Sequence, residues 1–516
     1  MNRRELLLAF AAQTSQPDLC IYGASAAGIT AAIQARKMGR TVLLLEPGRH
    51  LGGITVEGLG SSDIDNHWFR NSPAVGGLAA ELYRRIGAAY GKSEPVYKFE
   101  SSVAERVLLA WLKEHDVPYQ LNAQLRSASK QNAKITHITL TSGQRIAAAQ
   151  FIDASIEGDL LHAAGCRTTI GREANAQYGE NKNGIRAENT YRNFEVRVDP
   201  YWRPGVTSSG VLPTIQNEPL GTPGAADHRL QGYCFRMCLT KNPANRIPFA
   251  KPSGFDRKLY EIYFRYIQAG GQLFRPVANL PNGKTDQGSW HDLSANRYGM
   301  KYAYPAGSPA IRRHVYNEHL HFTQGLVYLL STDPAFGPHW KDWGLAADEF
   351  TDNRGWPRQF YVRDARRLVS DFVITEHHTR RLDQPPVPDP IGISCWPPDT
   401  HHVRRIVKDG AAYNEGFVFG GDDWGAFPIS YRALLPRASE CTNLITPTCL
   451  SSSHVAYGAI RLEWTFFLLG QAAATASVQA LAANIPLQRL PYEALQARLR
   501  ADGQVLATNP IPQAKS

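Results

Sequence analysis

The 516-residue chain is 43% hydrophobic and 20% charged, which excludes disorder, collagen and small disulfide scaffolds; its length exceeds what one core usually organises, so two or three domains are expected. The formal net charge of +10 is carried by scattered pairs such as Arg366-Arg367, Arg380-Arg381 and Arg404-Arg405. Without a basic run to track a phosphodiester backbone, nucleic acid is not an expected partner.

Residues 1–16 read as an export signal. The charged start Asn2-Arg3-Arg4-Glu5 precedes a short apolar stretch and the small residues Ala11-Ala12, and the paired arginines resemble the twin-arginine type that exports proteins already folded around a cofactor. A periplasmic or secreted location follows. A frayed amphipathic helix on a cytoplasmic protein is the alternative.

Leu19–Tyr22 is an apolar run closed by Gly23, residues 26–38 have helical spacing, and residues 41–45 form a second β-rich run ending at Glu46. This is a βαβ unit and implies a parallel sheet. Helices are expected over 75–90 and 102–115, and strands over 119–122, 135–141 and 145–152, with Ser142-Gly143 as a hairpin turn. From about 171 to about 410 the sequence turns aromatic, Pro-rich and Arg-rich, which suggests an inserted substrate domain. A short strand over 443–446 and an alanine-rich helix over 464–483 then return the chain to the first domain. That last segment lacks charge but carries Gln471, Thr475, Ser477 and Gln479, so it reads as a buried helix and no membrane span is expected.

Seven cysteines show no CxxC pair and no finger spacing, so no metal site is expected. Cys441 and Cys449 could bridge in an oxidising compartment; buried thiols are the other reading.

Gly23-Ala24-Ser25-Ala26-Ala27-Gly28 carries the dinucleotide fingerprint at its first and third glycines, with Ser25 at the second. Gly23 permits the turn, Ser25 is small enough for a pyrophosphate to approach, Gly28 allows close helix–strand packing, and the helix N-terminus offers N–H donors through Ala26 and Ala27. Glu46, at the end of the second strand, suits the adenosine ribose and argues against a 2′-phosphate. No second fingerprint occurs, so no NAD(P)H site is expected.

With Gly52-Gly53-Ile54-Thr55 and Gly58-Leu59-Gly60, the sequence resembles FAD-dependent oxidoreductases related to fumarate reductase flavoproteins, within the glutathione-reductase-type FAD/NAD(P)-binding superfamily. The likeness continues through 151–160, 231–236, 280–286, 361–367 and 451–461, covering nearly the whole chain after residue 17. Asp364 stands where glutamate is expected and Ala474 where glycine is usual. The resemblance implies an α/β fold: a Rossmann-like FAD-binding domain (parallel sheet, ββα) formed by 17–170 and 411–510, with an inserted α+β substrate domain over 171–410. It implies FAD as cofactor, with Asp153, Ala154, Gly158 and Asp159 near the pyrophosphate and ribityl chain. Helix capping is the competing reading of the two aspartates. Ser453 would lie beside the flavin, and Gly470 would let the last helix pack closely.

For chemistry, His454 and His401 are the candidate bases because imidazole titrates near neutrality, with Arg461 beside the flavin. Arg236, Arg363 and Arg366 could clamp a substrate or serve as salt bridges. Trp202, Trp290, Trp343, Trp356 and Trp396 could stack on a substrate or fill a core. The expected function is oxidation of a small polar organic substrate by hydride transfer to FAD, with oxygen, a quinone or a redox protein taking the electrons. Reduction of an activated alkene and a non-catalytic flavin-bearing carrier or binding protein are the alternatives.

Overall fold

The structure, a computed structural model, describes residues 16–66, 70–188, 193–289, 291–420 and 423–508. The export-signal expectation therefore falls almost wholly outside the described residues, as does Trp290.

The expected βαβ unit is β1 (Leu19–Tyr22), α1 (Ala26–Lys37) and β2 (Val42–Leu45). Helices α2 (Gly77–Ala89) and α3 (Ser101–Glu114) lead to the short strand β3 (Tyr119–Gln120). Next come β4 (Leu125–Gln131), β5 (Lys134–Leu140) and β6 (Arg145–Ala147), a separate antiparallel sheet in which β5 is central. The single strand expected over 145–152 is corrected here: the chain leaves the hairpin after Ala147 and enters β7 (Gln150–Asp153). β6 has an exposed edge, whereas all four residues of β7 are buried, as a strand covered on both faces requires.

The chain continues through α4 (Asp159–Ala163), β8 (Thr168–Ile170), β9 (Leu239–Thr240), β10 (Arg246–Ile247), α5 (Glu261–Gln268), α6 (Pro309–Thr332) and β11 (Gly344–Ala346). Strands β9, β10 and β11 form a small antiparallel sheet. The long helix α6 starts where Ser308 Oγ accepts from Ile311 N and Pro309 occupies the first turn, a position that needs no N–H donor. Then β12 (Arg366–Leu368) pairs with β8, β13 (Pro390–Ser394) with β18 (Phe427–Ser430), β14 (Asp399–Thr400) with β17 (Val418–Phe419), and β15 (Arg404–Lys408) with β16 (Ala411–Glu415). Finally β19 (Leu444–Ile445), α7 (His454–Ile460), α8 (Glu463–Ala483) and α9 (Tyr492–Ala501) close the chain.

The main sheet has the order β19-β7-β1-β2-β3 and is parallel throughout. Two large cores organise the molecule. One gathers α1, α2, α3 and α8 with Ile391 and Ile393 of β13; the other is aromatic, built on residues such as Tyr233, Phe235, Tyr263, Phe322, Trp343 and Trp356. Helix α8 is the one helix among the described residues long and apolar enough to cross a membrane, and 78% of its most apolar window is buried in the protein. It lies against α1 so closely that a Cβ on Gly470 would stand 2.1 Å from Ala27 O. Thr30 Oγ1 donates to Phe467 O (2.8 Å) across the same contact.

Candidate active site

The fingerprint residues build a phosphate cradle. Gly23 adopts φ +94°, and a Cβ there would meet Ser155 N at 2.5 Å, so β1 can turn into α1 only with glycine at this point. A Cβ on Gly28 would fall 1.9 Å from Gly23 O, which keeps the first turn of α1 against the strand end. Ser25 is the N-cap of α1 and makes no side-chain capping bond; its Oγ donates to Ala154 O (2.7 Å). No acidic residue lies in the first turn, where Ala26, Ala27 and Gly28 present the positive end of the helix dipole.

Glu46 closes the cradle on the β2 side. Its two carboxylate oxygens accept from Ala24 N (2.8 Å) and Gly48 N (2.7 Å), and burial pushes its pKa up to about 7. Gly52 and Gly53 both have positive φ, and a Cβ on Gly53 would stand 3.2 Å from Ser25 Cα, so this loop closes directly over the cradle. Ile54 packs with Leu59, Cys234 and Tyr361, and Thr55 Oγ1 donates to Glu463 Oε2 at the start of α8 (2.6 Å). A cradle of glycine turn, unencumbered helix N-terminus and ribose-facing acid fits FAD.

Other expected flavin residues have internal partners. Asp153 accepts from Ser155 N, Ser155 Oγ and Leu161 N at 3.0, 2.6 and 2.7 Å, which is the capping arrangement. Asp159 accepts two bonds from Arg312 and one from Arg366. Gly158, at φ +67°, is the N-cap of α4, and Ser453 Oγ caps α7 by accepting from Ala456 N.

Beyond the loop lies a small polar cleft of about 60 Å³ lined by Leu59, Ser61, Ser62, Asp63, Arg236, Tyr361, Asp399, His401, Arg461, Leu462 and Glu463. It joins the stretch after the flavin-proximal loop to the first residues of α8. Arg461 donates through Nη1 to the Tyr361 hydroxyl (2.7 Å) and through Nη2 to Asp399 O (2.9 Å). Arg236 forms a bidentate pair with Asp286 (2.6 and 2.7 Å). His401 Nδ1 is buried without a hydrogen-bond partner, and Nε2 lies 3.9 Å from Asp399. Desolvation, helped by Arg363, Arg461 and Arg236, holds the His401 pKa well below the usual imidazole value, so the ring is neutral.

The structure thus brings together His401, Arg461 and Arg236 and leaves the other candidates outside the cleft. His454 begins α7 in a buried position, its Nδ1 3.3 Å from Asp364 and its backbone N–H donating to Glu173. Arg363 is spent on Gly232 O, Ser289 O and Cys234, and Arg366 on Glu157 O and Asp159. Trp343 and Trp356 fill the aromatic core, Trp396 packs in the first core, and Trp202 is partly exposed away from the cleft.

Asp63 and Glu463 are cleft residues that no local motif singled out, and Tyr361 entered only as the first residue of the 361–367 likeness. Asp63 follows the Gly58–Gly60 run by only three positions, the sole hint in the sequence. Burial raises Asp63 to about 6 and Glu463 to about 7. All seven cysteines are buried free thiols. Among the described residues the acidic grouping that could hold a metal is Glu100, Asp348 and Glu349, and Lys284 Nζ already sits within 2.6–2.9 Å of all three.

Solved structures similar to parts of the chain include L-proline dehydrogenase from P. horikoshii (15% identity, 31% of this chain and 59% of that one, TM-score 0.26) and a flavin-dependent brominase variant (19% identity, 30% and 43%, TM-score 0.24). A curated relative, vinyl phenol reductase of Lactiplantibacillus plantarum, is 30% identical over 109 residues. That match spans 20% of this chain and about a fifth of the relative, 21%. The model of the FAD dependent oxidoreductase family matches residues 18–499, and the chain belongs to that family of FAD enzymes.

Proposed function

We propose that the protein dehydrogenates a small polar organic substrate bound in the His401 cleft. The observation that carries this reading is His401 itself: a buried, neutral imidazole with an unpartnered Nδ1, in a residue that lines a polar cleft at the edge of the flavin-proximal loop. The neutral ring keeps a nitrogen open for the proton that the oxidative direction releases, while its burial and the nearby arginines make it a weak base that accepts the proton only as the hydride departs. Bound FAD supplies the two-electron acceptor. His401 takes the substrate O–H or N–H proton while the adjacent C–H bond gives up its electron pair as hydride. Arg461 and Tyr361 orient the substrate, and the close packing of Ile54, Leu59 and Tyr361 keeps water from the reacting carbon. Oxygen, a quinone or a redox protein would reoxidise the enzyme, and the twin-arginine-like start supports a periplasmic or secreted location.

Alkene reduction is the second reading. The Arg461–Tyr361 contact could deliver a proton, and the partial relative is by name a reductase. Anaerobic mixing separates the two. Bleaching of the oxidised enzyme by sugars, polyols or amines supports dehydrogenation, reoxidation of the reduced enzyme by an enoate supports reduction, and silence with every candidate supports a carrier.

A further inference from the structure

Of the seven buried thiols, Cys166 and Cys441 face each other. They share one apolar core with Phe151, Leu160, Leu161 and Leu444, and a hydrogen bond joins the two side chains. The chain on either side holds them together. Arg167, the residue after Cys166, donates through its backbone N (3.3 Å) and Nε (2.6 Å) to the carboxylate of Glu440, the residue before Cys441. Lys130 Nζ lies over both segments: it donates to Glu440 O (3.0 Å) and would stand 3.8 Å from a Cβ on Gly165. Each cysteine is also fixed by its own N–H, Cys166 donating to Leu161 O and Cys441 to Arg437 O, both at 3.0 Å.

Cys449, the partner that sequence suggested for Cys441, is turned elsewhere: its Sγ donates to Ser155 O (3.4 Å) and Ile156 O (3.3 Å). The S–H donated by Cys166 lowers the Cys441 thiol below its ordinary value, with burial opposing and the Lys130 ammonium assisting. Thiolate is the species that attacks a disulfide. The pair lies just under the surface. Cys166 is 6% exposed, and its neighbours Gly165 and Arg167, like Ala438 and Ser439 ahead of Cys441, are exposed.

We propose that Cys166 and Cys441 are an oxidisable pair that closes to a disulfide by exchange with an external disulfide, stapling the turn after α4 to the segment that leads into β19. The exchange balances. One cysteine sulfur attacks the external S–S bond and expels a thiolate; the second attacks the mixed disulfide so formed and expels the other. Two protein thiols are oxidised to one disulfide, the external disulfide is reduced to two thiols, and the two S–H protons end on them. The aromatic core is built from chain that lies between the two cysteines, so this one bond encloses it in a long covalent loop and restricts the unfolded chain. Disulfides persist in oxidising compartments, the setting proposed above for this protein.

The test uses the FAD-loaded full chain equilibrated in glutathione buffers from fully reduced to fully oxidised, quenched in acid, alkylated in denaturant and mapped by mass spectrometry without reduction. In the oxidised buffer the intact protein is expected to lose the mass of two hydrogens, with the Cys166 and Cys441 peptides linked and the remaining thiols alkylated. Tm should rise by about 3 °C over the reduced protein and fall back with dithiothreitol. Cys166→Ala and Cys441→Ala, made separately, should each abolish the link and the oxidant-dependent gain in Tm, whatever either does to the Tm of the reduced protein. Alkylation of all seven thiols after the oxidised buffer overturns the proposal. So does a link between any other two cysteines, glutathione left on Cys166 or Cys441 as the stable product, or a Cys166–Cys441 link that leaves Tm unmoved.

Discussion

Thr55 Oγ1 donates to Glu463 Oε2 across 2.6 Å, tying the flavin-proximal loop to the first turn of α8. The carboxyl is buried, and desolvation raises its pKa to about 7. Folding therefore takes up a proton at Glu463 between the ordinary glutamate value and about 7, so its contribution is most favourable at low pH and is lost as pH rises through about 7. Glu463→Gln keeps an acceptor for Thr55 without the charge. It should raise Tm at pH 8 and change it little at pH 5, while Thr55→Val should lower Tm and loosen FAD. Differential scanning fluorimetry at the two pH values checks the sign.

The cradle makes a sharper demand. Gly28→Val places atoms where even a Cβ would stand 1.9 Å from Gly23 O, so FAD occupancy should fall at least tenfold, read from the flavin-to-protein absorbance ratio of the purified protein. At the neighbouring helix contact, Gly470→Ala forces α8 away from Ala27 O and should cost about 1–3 kcal/mol, the usual price of overpacking. Urea denaturation measures it.

The two histidines separate chemistry from architecture. His401→Ala should slow flavin reduction on the order of a hundredfold, the typical contribution of a general base, with substrate binding less affected. His454→Ala should lower Tm, because the ring is buried beside Asp364, and should leave the reduction rate within a few-fold of the parent. Stopped-flow absorbance on both variants decides; equal losses would remove His401 from the special role.

Lys301 is buried, with Nζ donating to Val403 O (3.0 Å) between the rings of Tyr298 and Tyr302. Desolvation lowers its pKa to about 7. Above that value the folded state holds fewer protons than the unfolded chain, so stability rises with pH up to the ordinary lysine range, at most about 1.4 kcal/mol per pH unit. Lys301→Met removes the burial cost. The Tyr302 hydroxyl still donates to Val403 O (2.8 Å), so no acceptor is orphaned. The variant should be more stable than the parent at pH 7, and the gap should narrow by pH 10.

The cradle was legible because its logic is local: Gly23, Gly28 and Glu46 lie within one βαβ unit, and each is required by backbone geometry a few residues away. The cleft was not, because Asp63, Arg236, Tyr361, His401 and Arg461 meet only after the two cores pack. His401 and His454 looked alike as sequence. What separates them is the seating of α7 against Glu173 and Asp364, which sets His454 away from the cleft, and the position of His401 after β14, which brings it to the cleft lining. The β6–β7 boundary was missed because both strands share the same residue preferences, and the exchange of partners is decided by sheets distant in sequence. Helix α6 carried a readable start at Ser308-Pro309, but its run of His, Tyr and Arg blurs the apolar stripe that helical periodicity depends on.

Strand β19 bears on how the molecule is made. Leu444 pairs with Phe151, so the edge of the main sheet is supplied by residues that leave the ribosome long after the strand they cover. Until then β7 presents open backbone donors and acceptors to water, and the newborn chain carries a nucleotide fold with an unzipped side. Such distant pairing folds slowly. The sheet edge beside the cradle is therefore complete only once the C-terminal part of the chain has been made.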